Sequence, residues 1–462
     1  MEKQDDLLAR VKRIHFVGIG GSGMCPIAEI LHHEGYRLTG SDVNESDTLA
    51  RIRSYGIPVA MGHRAENIGD AEAVVYSAAI MKDNPELTAA RERGIPLIER
   101  SVMLGMVSRR YPQTVAVSGT HGKTTTTSMI TQIFLDADLD PTVVIGGKLP
   151  MMGSSGRVGK SDIMVCEACE YVDTFLQLHP AVAVVLNIDD DHLEYFKSVE
   201  NTVRHFHQFC LQTSSMIVVN GDDDNSMKAV QELGSREIVT FGCSAGNEYW
   251  AKDIGMEPGS HAHFTLMHHD EKLADITLRI PGRHNIYNAV AAAAVAHKMG
   301  VSPWQISESI DRFTGAGRRF EVLGRPGGIV IADDYAHHPT ELRATLTAAK
   351  EMGFRQVWAV FQPFTFSRTK MLLDDFAEVL QIADHVVMTE IMGSREINTY
   401  NIYTSDLAAK IPGSVWFKTF EEVADYVVKH AQQGDLVITL GCGDIYKAAK
   451  LMLKKYEAMG LK

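Results

Sequence analysis

Thr114-Val115-Ala116-Val117-Ser118-Gly119-Thr120-His121-Gly122-Lys123-Thr124-Thr125 decides the fold of this chain. Thr114 to Val117 read as a short apolar strand, the glycines as a loop, and Lys123 as the start of a helix. A strand that runs through such a loop into a helix is the core of a nucleoside-triphosphate fold. Backbone N–H groups there cradle phosphate oxygens, a lysine meets the β- and γ-phosphates, and a hydroxyl is offered to Mg²⁺. Gly119, Thr120, Gly122, Lys123, Thr124 and Thr125 are therefore the candidate ATP-binding residues, with Thr124 as a candidate metal ligand. The spacing departs from GxxxxGK[ST]. Val117 stands where the first glycine would be and the loop opens at Gly119, which implies a shortened cradle.

Outward from this loop, 462 residues are too many for one hydrophobic core. Upstream, Arg13–Val17 reads as a strand, followed by a glycine loop, a helix with Ile27, Ile30 and Leu31 on one side, and further strands at 37–39 and 73–76. This rhythm predicts a doubly wound parallel sheet over residues 1–112. The central unit, 113–320, continues with strands at 162–165, 181–186 and 216–219, a hairpin across 263–280 and an alanine-rich helix over 285–299. It ends in the glycine-bearing segment Thr314–Arg319, read as a linker and hinge. The third unit, 321–462, repeats strand and helix, with one helix expected over 370–382. The expected fold class is α/β with three domains: a Rossmann-like first unit, a central ATPase-like unit and a Rossmann-like third.

Gly18-Ile19-Gly20-Gly21-Ser22-Gly23 matches GxGxxG after a strand, and Asp42 lies about 20 residues beyond it, where a dinucleotide fold places a ribose-binding acid. The same physics serves a nicotinamide cofactor, another nucleotide diphosphate or a structural turn. For Mg²⁺, Glu167, Glu170 and the run Asp189-Asp190-Asp191-His192 end segments expected near the phosphate loop, and the hardness of the ion favours the carboxylates over His192. In the third unit Asp333 to Thr340 and Phe361 to Thr369 follow strands, where ligands bind in open α/β sheets. His337 and His338 lack a third zinc ligand at sensible spacing, and Cys166 and Cys169 point to opposite faces of a strand end.

Composition narrows the partners. A net charge of −13 opposes a nucleic-acid or anionic-membrane partner. The N-terminus lacks a signal-peptide core, no apolar run is long enough to span a bilayer, and six scattered cysteines fit a reducing compartment, so a cytoplasmic protein is expected. Oligomeric state is left open.

Several separated motifs together resemble the Mur ligase family of peptidoglycan synthesis across nearly the whole chain: Val17 to Met24, Gly40-Ser41-Asp42, Ser118 to Thr125, Asn187 to His192, Gly282 to Asn288, Gly315 to Phe320, Asp333 to Glu341 and Phe361 to Thr369. The resemblance implies an ATP-dependent ligase of cell-wall biogenesis, and hence of cell shape and division, with Mg²⁺ (or Mn²⁺) as its metal. UDP-N-acetylmuramate and L-alanine would be its substrates. It implies a UDP-sugar rather than NAD on Gly18, Gly20, Gly21, Ser22, Gly23, Met24, Ser41, Asp42 and Ser77, with His121 facing the muramoyl group. It also implies Glu170 and His192 as metal ligands with Thr124, which overrules the preference for the aspartates. Asn285 and Asn288 would meet adenine, Arg319 and Asp333 would contact the nucleotide, and Tyr335, His338 and Arg368 would stand around the acceptor.

The implied chemistry follows from a carboxylate being a poor electrophile: ATP first converts it to an acyl phosphate, which an amine then attacks, with Lys123, His192 and Arg368 as catalytic candidates. The alternative within the family is a recycling ligase that attaches a preformed tripeptide to the same carboxylate. Phe364 and Thr365 stand where these ligases commonly carry His and then Arg or Thr, and Cys169 replaces a usual acid. The first departure removes a polar group beside the expected amino-acid site and bears on which amine is accepted.

Overall fold

A computed structural model describes residues 7–190, 193–257, 261–394 and 396–461. By packing, the chain divides into two compact units: Met1–Lys252 with Thr265–Asp275 and Tyr287–Ile310, and Asp253–Phe264 with Ile276–Ile286 and Asp311–Lys462.

The first sheet consists of β1 (Arg13–Val17), β2 (Arg37–Asp42), β3 (Val59–Met61), β4 (Ala73–Tyr76) and β5 (Leu97–Glu99), in the order β3-β2-β1-β4-β5 with every pair parallel. The order reverses between β1 and β4, which is where doubly wound sheets open a ligand crevice at their carboxyl ends. Helix α1 (Cys25–His33) carries Pro26 in its first turn and buries every residue from Cys25 to Leu31. Helix α2 (Pro85–Glu92) starts where Asn84 accepts the N–H groups of Glu86 and Leu87 and Pro85 presets the backbone.

The second sheet has ten strands: β6 (Gln113–Ser118), β7 (Thr142–Leu149), β8 (Ser154–Arg157), β9 (Ile163–Glu167), β10 (Val182–Val185), β11 (Met216–Asn220), β12 (Glu237–Gly242), β13 (Tyr249–Glu257), β14 (His261–His268) and β15 (Glu271–Thr277). Their order is β15-β14-β13-β12-β11-β10-β6-β9-β7-β8. The strands around β6 pair in parallel, and at that end of the sheet the β7–β8 edge turns back. Because β6 lies between β10 and β9, the loops leaving all three emerge side by side. Helix α3 (Lys123–Asp136) leaves the phosphate loop with most of its surface buried, and α4 (His284–Lys298) buries its alanine run 289–296.

The third sheet, β16 (Glu321–Gly324), β17 (Val330–Asp334), β18 (Val357–Phe361), β19 (His385–Thr389), β20 (Val415–Phe417) and β21 (Leu436–Leu440), runs in the order β16-β17-β21-β18-β19-β20 and is parallel apart from β16. Helix α5 (Pro339–Glu351) follows β17. The single helix expected over 370–382 is two: α6 (Phe366–Met371) and α7 (Leu373–Leu380) break at Leu372, whose φ −108°, ψ 26° is not helical. The proposed domain boundaries fall between β5 and β6 and just ahead of β16. Among the described residues no helix is long and apolar enough to cross a membrane.

Candidate active site

The phosphate loop is held from below by the segment after β10. Asn187 accepts the N–H of Thr120 through its carbonyl (2.9 Å) and that of His121 through Oδ1 (2.8 Å), and the Thr120 hydroxyl accepts the N–H of Asp189 (2.9 Å). Ser118, the last residue of β6, is turned inward and donates to the Val184 carbonyl. Two loop glycines have no substitute. Gly119 has φ +137° with a Cβ position 2.9 Å from Leu186, and Gly122 has φ +85° with a Cβ position 2.4 Å from Asn288 Oδ1. The loop backbone therefore lies directly on the side chain of Asn288.

Lys123 opens α3 and folds back over the loop, donating to the carbonyls of Gly119 (2.5 Å) and Thr120 (2.9 Å) and meeting both oxygens of Glu170 at 3.1 and 3.0 Å. Burial works to discharge the ammonium, but Glu170, helped by Glu167, outweighs it and moves the lysine pKa upward. The side chain is thus a fixed cation beside a helix N-terminus whose first-turn N–H groups point at the same place.

The carboxylates singled out for metal binding separate by what they touch. Glu167 accepts the N–H of Gly146, which fastens β7. Asp189 faces His121 Nε2 at 3.4 Å, and that contact, against burial, draws its carboxyl down to about 2. Glu170 is almost fully buried and points at Lys123. Its Oε2 accepts no hydrogen bond of ordinary geometry, so a hard oxygen donor is held next to the phosphate loop. With the hydroxyl of Thr124 this donor set fits a magnesium-type ion. Asp191 and His192 lie outside the described residues.

In the first sheet the candidate residues gather at the carboxyl ends of β2, β1 and β4. The glycine loop is fastened chiefly by residues 41 and 42: the Ser41 carbonyl accepts the N–H groups of Gly18 (2.8 Å) and Ile19 (3.1 Å), and Asp42 Oδ2 accepts that of Gly20 (2.9 Å). Gly21 donates to Gly18, while Met24 and Cys25 donate to Gly21. Among the described residues the N–H groups of Ser22 and Gly23 find no partner. Asp42 also accepts from Val43 and Asn44, so the acid expected on a ribose also clasps the loop. Ser77 makes a turn after β4, with Ala79 donating to its hydroxyl.

Behind this clasp lies Glu86, a fully buried carboxylate. It accepts from the Ser41 hydroxyl (2.6 Å), Asn67 Nδ2 (2.5 Å) and the Arg64 N–H (3.3 Å), and it stands 3.4 Å from His15 Nε2 and 3.5 Å from His63 Nδ1. Burial alone would raise its pKa; the hydrogen bonds from His15, Ser41 and Asn67 hold it at about 2. The Ser41 hydroxyl is thus turned into the protein, and its contribution to the loop is support.

In the other unit, Asn285 is buried and donates to the Pro281 carbonyl (2.6 Å). Asp333 is buried with both oxygens engaged, by Arg318 Nε (2.8 Å) and the Thr439 hydroxyl (2.6 Å). Tyr335 carries two guanidinium groups on its ring, Arg318 at 5.0 Å and Arg319 at 5.1 Å from the centroid. His338 caps α5, accepting from Thr340, while Glu341 accepts from the His338 N–H. Arg368 is half-buried on α6 and, among the described residues, forms no hydrogen bond or ion pair through its guanidinium. Glu396 caps α6 from a separate loop, accepting from the Ser367 N–H (2.8 Å) and from the hydroxyls of Thr365 (2.9 Å) and Ser367.

Comparison with known proteins gives this arrangement a family. Residues 13–112 match the Mur ligase family catalytic domain, 117–296 the Mur ligase middle domain and 318–443 the Mur ligase glutamate ligase domain. A UDP-N-acetylmuramate–L-alanine ligase of Acetivibrio thermocellus is 43% identical over 98% of both chains. The chain belongs to the Mur ligase family. The crystal structure of UDP-N-acetylmuramate-alanine ligase from Thermotoga maritima superposes with a TM-score of 0.82 at 28% identity, covering 97% of this chain and 99% of that one. A murein peptide ligase of Psychrobacter arcticus, at 23% identity and TM-score 0.75 over 96% and 98%, shows the fold alone.

As a Mur ligase the chain is an ATP-dependent ligase with three α/β domains. Sequence reasoning missed Glu86, His63 and Glu396. Asn84-Pro85-Glu86 reads as an ordinary helix start, and nothing local shows that its acid turns inward to partners tens of residues away. A separate group of metal-type donors, Glu248, His268 and His269, is already met by a cation: Lys298 Nζ stands 2.7 Å from Glu248.

Proposed function

We propose that this Mur ligase joins L-alanine to the muramoyl carboxylate of UDP-N-acetylmuramate, with hydrolysis of ATP to ADP and phosphate, in cytoplasmic peptidoglycan precursor synthesis. The observation that carries the reading is the Lys123–Glu170 pair folded over the glycine loop at the start of α3, in a chain 43% identical to a ligase of that name. A muramoyl carboxylate oxygen attacks the γ-phosphorus of ATP, ADP leaves, and an acyl phosphate results. The amine of alanine then adds to the carbonyl carbon and phosphate departs. Lys123 neutralises charge on the transferring phosphoryl group and positioning supplies most of the rate. His121, fixed by Asn187 and Asp189, faces the muramoyl group.

Thr124 and Glu170, with His192, would hold Mg²⁺ or Mn²⁺, which shields the phosphate charges when bound. Asn288, against Gly122, and Asn285 meet the adenine, and Arg319 and Asp333 belong to the nucleotide's surroundings. Arg368, whose guanidinium has no ion pair among the described residues, receives the carboxylate of the amino acid, with Tyr335 and His338 beside it. The segment 314–319 serves as hinge, with domains at 1–112, 113–320 and 321–462.

ADP release that requires ATP, Mg²⁺, UDP-N-acetylmuramate and L-alanine together tests the reading. Release independent of the sugar nucleotide would sink it. Nothing favours the tripeptide-attaching alternative; offering the tripeptide, alanine, glycine and serine in parallel checks the amine and whether Phe364 changes its choice.

A further inference from the structure

We infer that Arg100 is the cation that grips the diphosphate of the sugar nucleotide, a role that rests on the reading of the first sheet as a UDP-sugar site. Arg100 opens the helix Arg100–Ser108 after β5, and its half-buried side chain lies across the glycine loop. A Cβ on Gly23 would stand 3.2 Å from both Arg100 Cδ and Nη1, so the absence of a side chain at 23 is what lets the guanidinium lie against the loop backbone. Among the described residues this guanidinium has no hydrogen bond and no ion pair, in a protein with a net charge of −13 and acids to spare.

Its position is electrostatically costly without an anion. The residue sits at the positive end of its own nine-residue helix, where a cation is disfavoured, and Glu99 next to it gives one oxygen, Oε2, to Ser101 and forms no ion pair with Arg100 among the described residues. Among the described residues two donors are left over in the glycine loop, the N–H groups of Ser22 and Gly23, because every other early N–H of the loop is taken by Ser41, Asp42, Gly18 or Gly21. Two unspent backbone donors and a planar fork of N–H groups make a receptor for phosphate oxygens.

Arg100→Gln in the full chain tests this, with titration calorimetry of UDP-N-acetylmuramate, UDP and uridine, and steady-state KM for each substrate. A charge-assisted pair of hydrogen bonds predicts a rise of about tenfold to a hundredfold in Kd and KM for the two diphosphates. Uridine affinity and the KM for ATP should stay within about twofold, and Arg100→Lys should recover part of the loss because it keeps the charge but not the fork. Without ligand the melting temperature should be unchanged or higher, since an unpaired cation is removed, while the UDP-induced rise in melting temperature should shrink. A purely structural arginine would instead lower the melting temperature and weaken uridine as much as UDP, which would overturn the assignment, as would UDP bound equally by both proteins. Failure of the wild-type chain to bind UDP or UDP-N-acetylmuramate would overturn the sugar-nucleotide reading itself and the assignment with it.

Discussion

The two glycine loops of this chain each follow a buried β-strand and each lead into a helix, yet they are built in opposite ways. In Gly18–Gly23 the backbone donors are mostly spent on the loop and on residues 41 and 42, and the buried charge behind it is an anion, Glu86, ringed by neutral donors and two histidines. In Gly119–Gly122 the supporting contacts come from Asn187, the helix starts at a glycine that offers no side-chain cap, and the buried charge is a cation, Lys123, set against Glu170. A glycine motif shows where the backbone approaches a ligand. Which charge works there is decided by residues outside the motif.

The largest effect expected from this contrast is at the second loop. Lys123→Ala should lower ligation by about 10³-fold or more, since it removes the fixed charge aimed at the transferring phosphoryl group. It should also lower stability by about 3–5 kcal/mol, because Glu170 is left as an uncompensated buried anion. Lys123→Met combined with Glu170→Gln should regain most of that stability with no regain of ADP release. Urea unfolding alongside a coupled ADP assay separates the two. Stability that fails to recover in the pair would show that the ammonium is held by the loop carbonyls more than by Glu170.

At the first loop the corresponding charge is tested by acid. Glu86 has its folded pKa depressed from about 4.5 to about 2, so its contribution is fully present above the unfolded pKa and is lost as pH falls through the interval between the two. The shift corresponds to roughly 3 kcal/mol. Glu86→Gln should flatten the wild-type loss of unfolding free energy between about pH 4.5 and 2, leaving the remaining acid dependence to other carboxylates. Parallel curves for the two proteins would mean that Glu86 is not ionised in its cage.

These two sites also show what was readable in advance. The strand, loop and helix around Lys123 were legible because the residues that define them are consecutive. Glu170 and Glu167 could be told apart only through the family resemblance and not from the residues themselves, since it is the pairing of β9 with β7 and β6 that sets one on Gly146 and the other on Lys123. Glu86 and Arg100 were invisible because their meaning lies in residues 15, 41, 63–67 and 23, brought together by the sheet. Edge strands of three or four residues, such as β3, β5, β8 and β20, carry too little periodicity to stand out. The start of α6 was hidden because its cap, Glu396, comes from a separate loop.

A finer comparison uses one glycine from each loop. Gly18 and Gly122 both have positive φ, which costs a side-chain-bearing residue about 1–2 kcal/mol. At Gly18 the added Cβ would meet Ile80 Cδ1 at an ordinary 3.4 Å, whereas at Gly122 it would stand 2.4 Å from Asn288 Oδ1. Gly18→Ala should therefore show the backbone cost alone, and Gly122→Ala a larger loss of melting temperature together with a raised KM for ATP. Asn288→Gly should restore part of the stability of Gly122→Ala without restoring its affinity for ATP. Equal losses at the two glycines would mean that Asn288 moves aside freely.

The smallest effect is expected at Asp42, where spacing and structure give different roles. A ribose-binding acid would lose affinity for the sugar nucleotide on Asp42→Asn with no change in the empty protein. As a clasp, Asp42 accepts from Gly20 on one oxygen and from Val43 and Asn44 on the other, and the amide of asparagine must turn a donor toward one of those N–H groups. The cost should be about 1 kcal/mol, seen as a lower melting temperature without ligand, and the KM for UDP-N-acetylmuramate should rise only a few-fold as the loop loosens. The two changes should move together, and Asp42→Ala should enlarge both. A raised KM with an unshifted melting temperature would return Asp42 to the ribose and leave the loop's hold to the Ser41 carbonyl alone.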